Sequence, residues 1–188
     1  MDFISINNEN IDSFIKSLEE QEASNGNQDV IASLFYLYVA SDKLVQAKFA
    51  YNRLPKESKE SLIVNCVYKI LEKLMVQDIP GFYAEISKDI ESSSDPAVKN
   101  CAELILRLFR QRTLNKIKMA YSNIFIDDLC AKLNLSPDKI QELIKSENWE
   151  VKDNYIIIPE DEKNPENQID NKAMISKLSE LMSFIENH

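Results

Sequence analysis

Glycine is nearly absent from this chain. Only Gly26 and Gly81 occur among 188 residues, where average usage of roughly 7% would give about 13. Glycine supplies positive backbone dihedrals, tight hairpins and close approach to phosphates. Without it there is little room for a β-sandwich, a dinucleotide-binding turn or a phosphate-cradling loop. Histidine is scarcer still, because His188 is the only one. That excludes histidine general-base catalysis and the Ser-His and Cys-His pairings. Cys66, Cys101 and Cys130 are far apart, form no CxxC pair and sit in apolar contexts. They read as reduced, buried thiols, and a zinc site of Cys and His ligands is not expected. Positive charge is also short: 22 Lys and Arg stand against 31 Asp and Glu, a formal net charge of -9. A surface this acidic repels nucleic acid as a whole. No apolar run approaches the ~20 residues of a membrane span. The first ten residues are polar and acidic, so no secretory leader is expected. Cytoplasm and nucleus are the expected locations.

Hydrophobic residues make up 44% of the chain, enough for a packed core in one or two small domains. The apolar positions fall at helical spacing. Ile11, Phe14, Ile15 and Leu18 form one stripe, with Asn10 as a possible N-cap, and Ile31, Leu34, Phe35 and Tyr38 form the next. Ser41-Asp42 breaks the pattern and can cap a third helix presenting Leu44, Ala47, Ala50 and Tyr51, which ends at Leu54-Pro55. A further helix carries Ile63, Cys66, Val67, Ile70, Leu71 and Leu74. Asp78-Ile79-Pro80-Gly81 reads as a turn before a short helix with Phe82, Ile86 and Ile90. Asp95-Pro96 is a strong helix start, followed by Val98, Cys101, Ala102, Ile105 and Phe109. Such a succession suggests a degenerate helical repeat, with a single helix bundle as the alternative.

After Lys118 the pattern changes. Ser122 to Ile126 is β-prone, Asp127-Asp128 opens a short helix, and Ser136-Pro137 opens a second with Ile140, Leu143 and Ile144. Trp149 to Lys152 and Tyr155 to Ile158 read as strands joined by Asp153-Asn154, with the Asn tolerating the left-handed conformation. Strand, helix, turn, helix and hairpin in this order is the plan of a winged helix. The expected organisation is mainly α: a helical-repeat (TPR-like) region over 1–118, a winged-helix subdomain over 119–160, an acidic linker over 161–170 and a terminal helix over 171–188.

No catalytic or cofactor site emerges. The chain has no GxSxG, GxxxxGK[ST] or HExxH pattern, and Asp127-Asp128 sits where helix N-termini attract acids. Three surfaces remain. The wing offers Trp149, Val151, Tyr155, Ile156, Ile157 and Ile158, whose apolar strand invites strand addition from a neighbour. The terminal helix presents Ile175, Leu178, Met182 and Ile185 at a 3-4-3 spacing, a seam that either joins helices of other chains or folds back on its own domain. Arg107, Arg110, Arg112, Lys116 and Lys118 follow one another without an intervening acid; they form a solvated face, dock an acidic partner, or contact RNA or a phosphoinositide. A stand-alone nucleic-acid binder is the alternative of another class. The second helix of the turn argues against it, since Asp138, Lys139, Glu142, Lys145 and Glu147 leave it net acidic and without arginine.

Several stretches carry a family resemblance. They are LYVASDKLVQAKFAYNRLP (Leu37 to Pro55), DIPGFY (Asp78 to Tyr83), AYSNIFIDDLCAKLNLS (Ala120 to Ser136), ENW (Glu147 to Trp149) and SKLSELMSFIEN (Ser176 to Asn187). In this order and spacing they resemble the small subunits of the PCI-domain family, found in the proteasome lid, the COP-nine signalosome and a translation initiation factor. The terminal stretch is most similar to the signalosome's. The resemblance implies a non-catalytic scaffold within the complex that deneddylates cullins, with no cofactor and with other PCI-domain subunits as partners. It also implies edge-to-edge pairing of winged-helix sheets and terminal helices gathered in a shared bundle. The proteasome lid and the initiation factor remain the alternative complexes.

Overall fold

The computed structural model of the chain describes residues 10–25 and 28–159. The elements are α1 (Ile11–Asn25), α2 (Gln28–Ala40), α3 (Leu44–Arg53), α4 (Lys56–Lys59), α5 (Leu62–Met75), α6 (Ile79–Ser92), α7 (Pro96–Ala120), β1 (Asn123–Phe125), α8 (Ile126–Leu133), α9 (Pro137–Ser146), β2 (Glu150–Lys152) and β3 (Tyr155–Ile157). The fold is mainly helical with a small sheet at its C-terminal end. The linker at 161–170 and the helix expected over 171–188 lie outside the described residues.

Helix α2 is the centre of the larger core. Its last seven residues, Leu34 to Ala40, are all buried, more than the single stripe its sequence suggests. Helices α1, α3, α5 and α7 all pack on it, and a helix covered on every side must be apolar on every side. Ala47 and Ala50 of α3 are fully buried, and their small side chains let α3 lie close against α2. Three polar contacts hold α1 in place. The Tyr38 hydroxyl donates to Glu19 at 2.7 Å, Lys43 meets Asp12 at 2.7 Å, and Arg53 meets Glu22.

The near-absence of glycine does not leave the helices without left-handed caps. Asp42, Gln77, Asn134 and Asn148 have φ of 66°, 58°, 46° and 53°, each just after a helix. At all four the next residue's N–H closes back across the last turn: Lys43 to the Tyr38 carbonyl, Asp78 to Lys73, Leu135 to Cys130 and Trp149 to Ile144. This is the closure usually supplied by glycine, built here from Asp, Asn and Gln. Asp42 was expected to cap α3; instead it ends α2, and Lys43 holds the cap position of α3.

Two N-termini are capped by aspartates. Asp95 accepts from the Ala97 N–H at 2.9 Å ahead of Pro96, as expected. Asp78-Ile79-Pro80-Gly81 is not a turn before a short helix. Asp78 is the N-cap of the 14-residue α6, and its carboxylate accepts from the Gly81 N–H at 3.0 Å. A Cβ on Gly81 would lie 2.1 Å from that carboxylate, so glycine is what lets the cap close.

Apolar side chains form two clusters. The larger runs from Ile11 to Leu108, and the smaller gathers Ile117, Ile124, Leu129, Leu133, Ile140, Ile144, Trp149, Ile156 and Ile158. Helix α7 contributes to both, so the boundary expected after 118 falls inside a continuous helix. Strand, two helices and hairpin follow α7 in the order of a winged helix. The hairpin turns on Asp153-Asn154 as expected, but Asp153, at φ 56°, takes the left-handed position. Ser136 precedes α9 without a side-chain cap bond. The sheet order is β1-β3-β2, all antiparallel.

Candidate interaction surfaces

Of the three cysteines expected to be buried, Cys101 is, whereas Cys66 and Cys130 are half-buried. Burial pushes the Cys66 thiol up to about 11, helped by Asp89, and the fully buried Cys101 up to about 12. A thiol held in the neutral form is a poor nucleophile and a poor ligand. Among the described residues no group of three or more His, Cys, Asp or Glu is placed to hold a metal ion.

The basic run is not one surface. At about 100° per residue, Arg107, Arg110 and Lys118 share one side of α7, and Arg112 and Lys116 lie on the opposite side. The Arg110 guanidinium donates to the Leu133 carbonyl at 2.9 Å and the Asn134 carbonyl at 2.8 Å. It therefore satisfies backbone acceptors that the end of α8 leaves over. Lys118 meets Glu147 at 2.6 Å. On the other side Arg112 donates to the Ala40 carbonyl at the end of α2, and Lys116 lies 3.9 Å from Asp42. The docking face expected for an acidic partner is thus divided between two internal junctions; Arg107 is exposed and also has an interaction within the protein. The Tyr83 hydroxyl adds a third donor at α8, to the Lys132 carbonyl at 3.0 Å. Tyr83, Arg110 and Lys118 thus tie α6 and α7 to the winged helix, beside the packing of Ile117 and Leu114 in its core. Tyr83 was not singled out from sequence, where it was one aromatic in an apolar helix.

The wing residues separate by face. Trp149, Ile156 and Ile158 are buried in the smaller cluster, whereas Val151, Tyr155 and Ile157 are 49%, 42% and 37% exposed. Strand β3 pairs with β1 on one side and β2 on the other. The apolar strand Tyr155 to Ile158 therefore has no open edge, which corrects the expectation that it receives a neighbour's strand. Among the described residues the outer edges of the three-stranded sheet are those of β1 and β2. Its outer face adds Phe125, 42% exposed, whose ring lies 4.1 Å from that of Tyr155. Sequence reasoning did not single out Phe125, because two apolar neighbours, Ile124 and Phe125, do not say which faces outward; the strand buries Ile124 and exposes Phe125. Ile175, Leu178, Met182 and Ile185 lie outside the described residues.

A helical region followed by a winged helix is the order that the family resemblance implies. Residues 25–169 match the model of the CSN8/PSMD8/EIF3K family. The chain belongs to this family. Among its similar relatives, a protein of Xenopus tropicalis named COP9 signalosome complex subunit 8 is 24% identical over 174 residues, covering 90% of this chain and 89% of the relative. Proteins of the same name from Dictyostelium discoideum and Drosophila melanogaster are 27% and 25% identical, over 77% and 90% of this chain and 74% and 92% of the relatives. The CSN8/PSMD8/EIF3K match takes in the whole of α7 and the wing. It starts at the end of α1, yet Ile11, Ile15 and Leu18 of that helix are buried in the main core. Among the described residues no helix is long and apolar enough to cross a membrane.

Proposed function

We propose that this chain is the eighth subunit of a COP9 signalosome and acts there as a non-catalytic scaffold. The observation that carries the reading is similarity to relatives of that name along nearly the full length of both chains. The complex is the one that the family resemblance links to deneddylation of cullins, and this chain contributes contacts rather than chemistry. The only histidine is His188, and the thiols of Cys66 and Cys101 are held neutral.

Its partners are other PCI-domain subunits, met at two surfaces. One is the wing, centred on the outer edge of β2 and the exposed Val151, Tyr155 and Ile157, with Phe125 beside them. An edge strand supplies unpaired backbone groups, and the exposed apolar side chains supply burial. The other is the stripe of Ile175, Leu178, Met182 and Ile185. Burial of that stripe contributes about 1.5–3 kcal/mol per side chain before entropy. Cytoplasm and nucleus are the compartments we assign, in keeping with three unpaired thiols.

Affinity purification of the tagged chain, followed by mass measurement of what co-purifies, tests the reading. Signalosome subunits are the expected catch. Subunits of the proteasome lid or of the initiation factor in their place would overturn it, and tight, salt-sensitive binding of the purified chain to RNA or DNA would move it to another class.

A further inference from the structure

An open groove of about 540 Å³ lies where α6, α7 and α8 meet. Its floor is apolar, with Ile79, Phe109, Ile117, Tyr121 and Ala131, and Lys116 and Lys132 stand at its walls. A second hollow of about 380 Å³ shares Ile79 and Ala131 with it and extends it along α6. Both volumes are of the size that takes a ligand or several side chains.

We propose that the occupant is the C-terminal segment of this same chain, residues 160–188. Three observations favour it over an outside partner. The first is where the described chain ends. The Ile158 N–H donates to the Ser122 carbonyl at 2.9 Å, so Pro159 leaves the sheet beside the residue that follows Tyr121 of the groove lining. The second is charge. Residues 160–170 carry Glu160, Asp161, Glu162, Glu166 and Asp170 against Lys163, and they follow directly at a groove bearing two lysines. Lys116 is 70% exposed at its side chain and only 3.9 Å from Asp42, which leaves its ammonium room for a second carboxylate. The third is length and pattern. The fifteen residues from 160 to 174 can extend roughly 50 Å at 3.3–3.6 Å each, enough to double back. Beyond them Ile175, Leu178, Met182 and Ile185 share one face at helical spacing, matching an apolar floor between charged walls. In the isolated chain the tail thus covers the groove, and joining a helix bundle with other subunits requires its release.

Methyl-labelled NMR of the full chain tests this without any partner, so its outcome is independent of which complex the protein joins. The wild-type protein is expected to show contacts between the Ile175 and Leu178 methyls and those of Ile79 and Ile117, unchanged on dilution. The full-length variant Ile175→Ser with Leu178→Ser is expected to lose them and to shift the Ile117 methyl resonance, while resonances of the α2 core stay in place. Lys116→Glu with Lys132→Glu is expected to weaken the same contacts. Absence of the contacts in the wild type would overturn the proposal. So would contacts that fade on dilution, which would mean a second copy's tail, or contacts that survive both pairs of substitutions.

Discussion

Gln77 adopts φ 58° with its side chain exposed. Left-handed backbone costs an L-residue roughly 1–2 kcal/mol, less for Asn and Asp because their short side chains bond locally. Gln lacks that compensation, so it is the least suited of the four left-handed caps. Gln77→Gly removes the strain and gives back part of the gain through a freer unfolded chain. A net stabilisation of about 0.5–1 kcal/mol is expected, read as a higher urea midpoint with an unchanged slope. Gly81 presents the opposite case. Gly81→Ala forces the Asp78 carboxylate off the α6 N-terminus, and a lower melting temperature is expected. The same variant changes the response to acid. Lys73, and then the Gly81 N–H, hold the Asp78 carboxyl below the usual carboxylate range. A depressed carboxyl contributes stability that is present above its unfolded value, near pH ~4, and is lost as pH falls through its folded value. Thermal scans below pH ~4 are therefore expected to show a shallower decline for Gly81→Ala than for the wild type.

Between elements, the decisive contact is α7 against the end of α8. Two hydrogen bonds from Arg110 outrank the ion pair of Lys118 and Glu147. Hydrogen bonds to charged groups are worth about 1.5–3 kcal/mol, whereas a partly exposed ion pair gives roughly 0.2–1. Arg110→Ala is expected to cost about 1.5–3 kcal/mol in urea unfolding and to speed amide exchange in α8 and α9 ahead of α2. Arg110→Lys is expected to recover little, because one ammonium does not reproduce the guanidinium fork across two carbonyls. Lys118→Ala serves as the smaller reference. Equal effects for Arg110→Ala and Lys118→Ala would show that the α8 carbonyls find water instead.

For the whole molecule, the central place of β3 changes how the wing can be tested. Ile157→Pro would remove a backbone donor from a strand flanked on both sides, breaking the sheet itself and reporting on folding. Val151→Asp with Tyr155→Asp alters exposed side chains only. A folded protein that fails to co-purify its partners is expected, judged by circular dichroism and by the mass of the recovered assembly. Deletion of the residues after Asn171 is expected likewise to leave both described cores intact and to reduce assembly. Normal assembly by either variant would remove that surface from the proposed interface.

Local signals were legible wherever the interaction is local. Asp95-Pro96 announces its helix because the carboxylate and the N–H it accepts lie two residues apart. The Asp153-Asn154 hairpin is likewise written in adjacent residues. The basic run misled because its cations are neighbours in sequence, whereas the partners of four of them, Ala40 and Asp42, Leu133 and Asn134, and Glu147, come from three distant segments. Tyr83 was silent for the same reason, since its acceptor lies 49 residues away.

The sequence by itself determined a helical chain with a small C-terminal wing, few catalytic groups and a resemblance to the small PCI-domain subunits. Periodicity and caps act over one or two turns of chain, and the near-absence of histidine is a matter of composition alone. Only the tertiary structure decided that α7 runs unbroken through both cores, that β3 lies inside its sheet, and that Asp, Asn and Gln take the left-handed positions glycine usually fills. Those outcomes depend on which distant groups meet, and on core packing that holds a residue in a conformation it does not prefer alone.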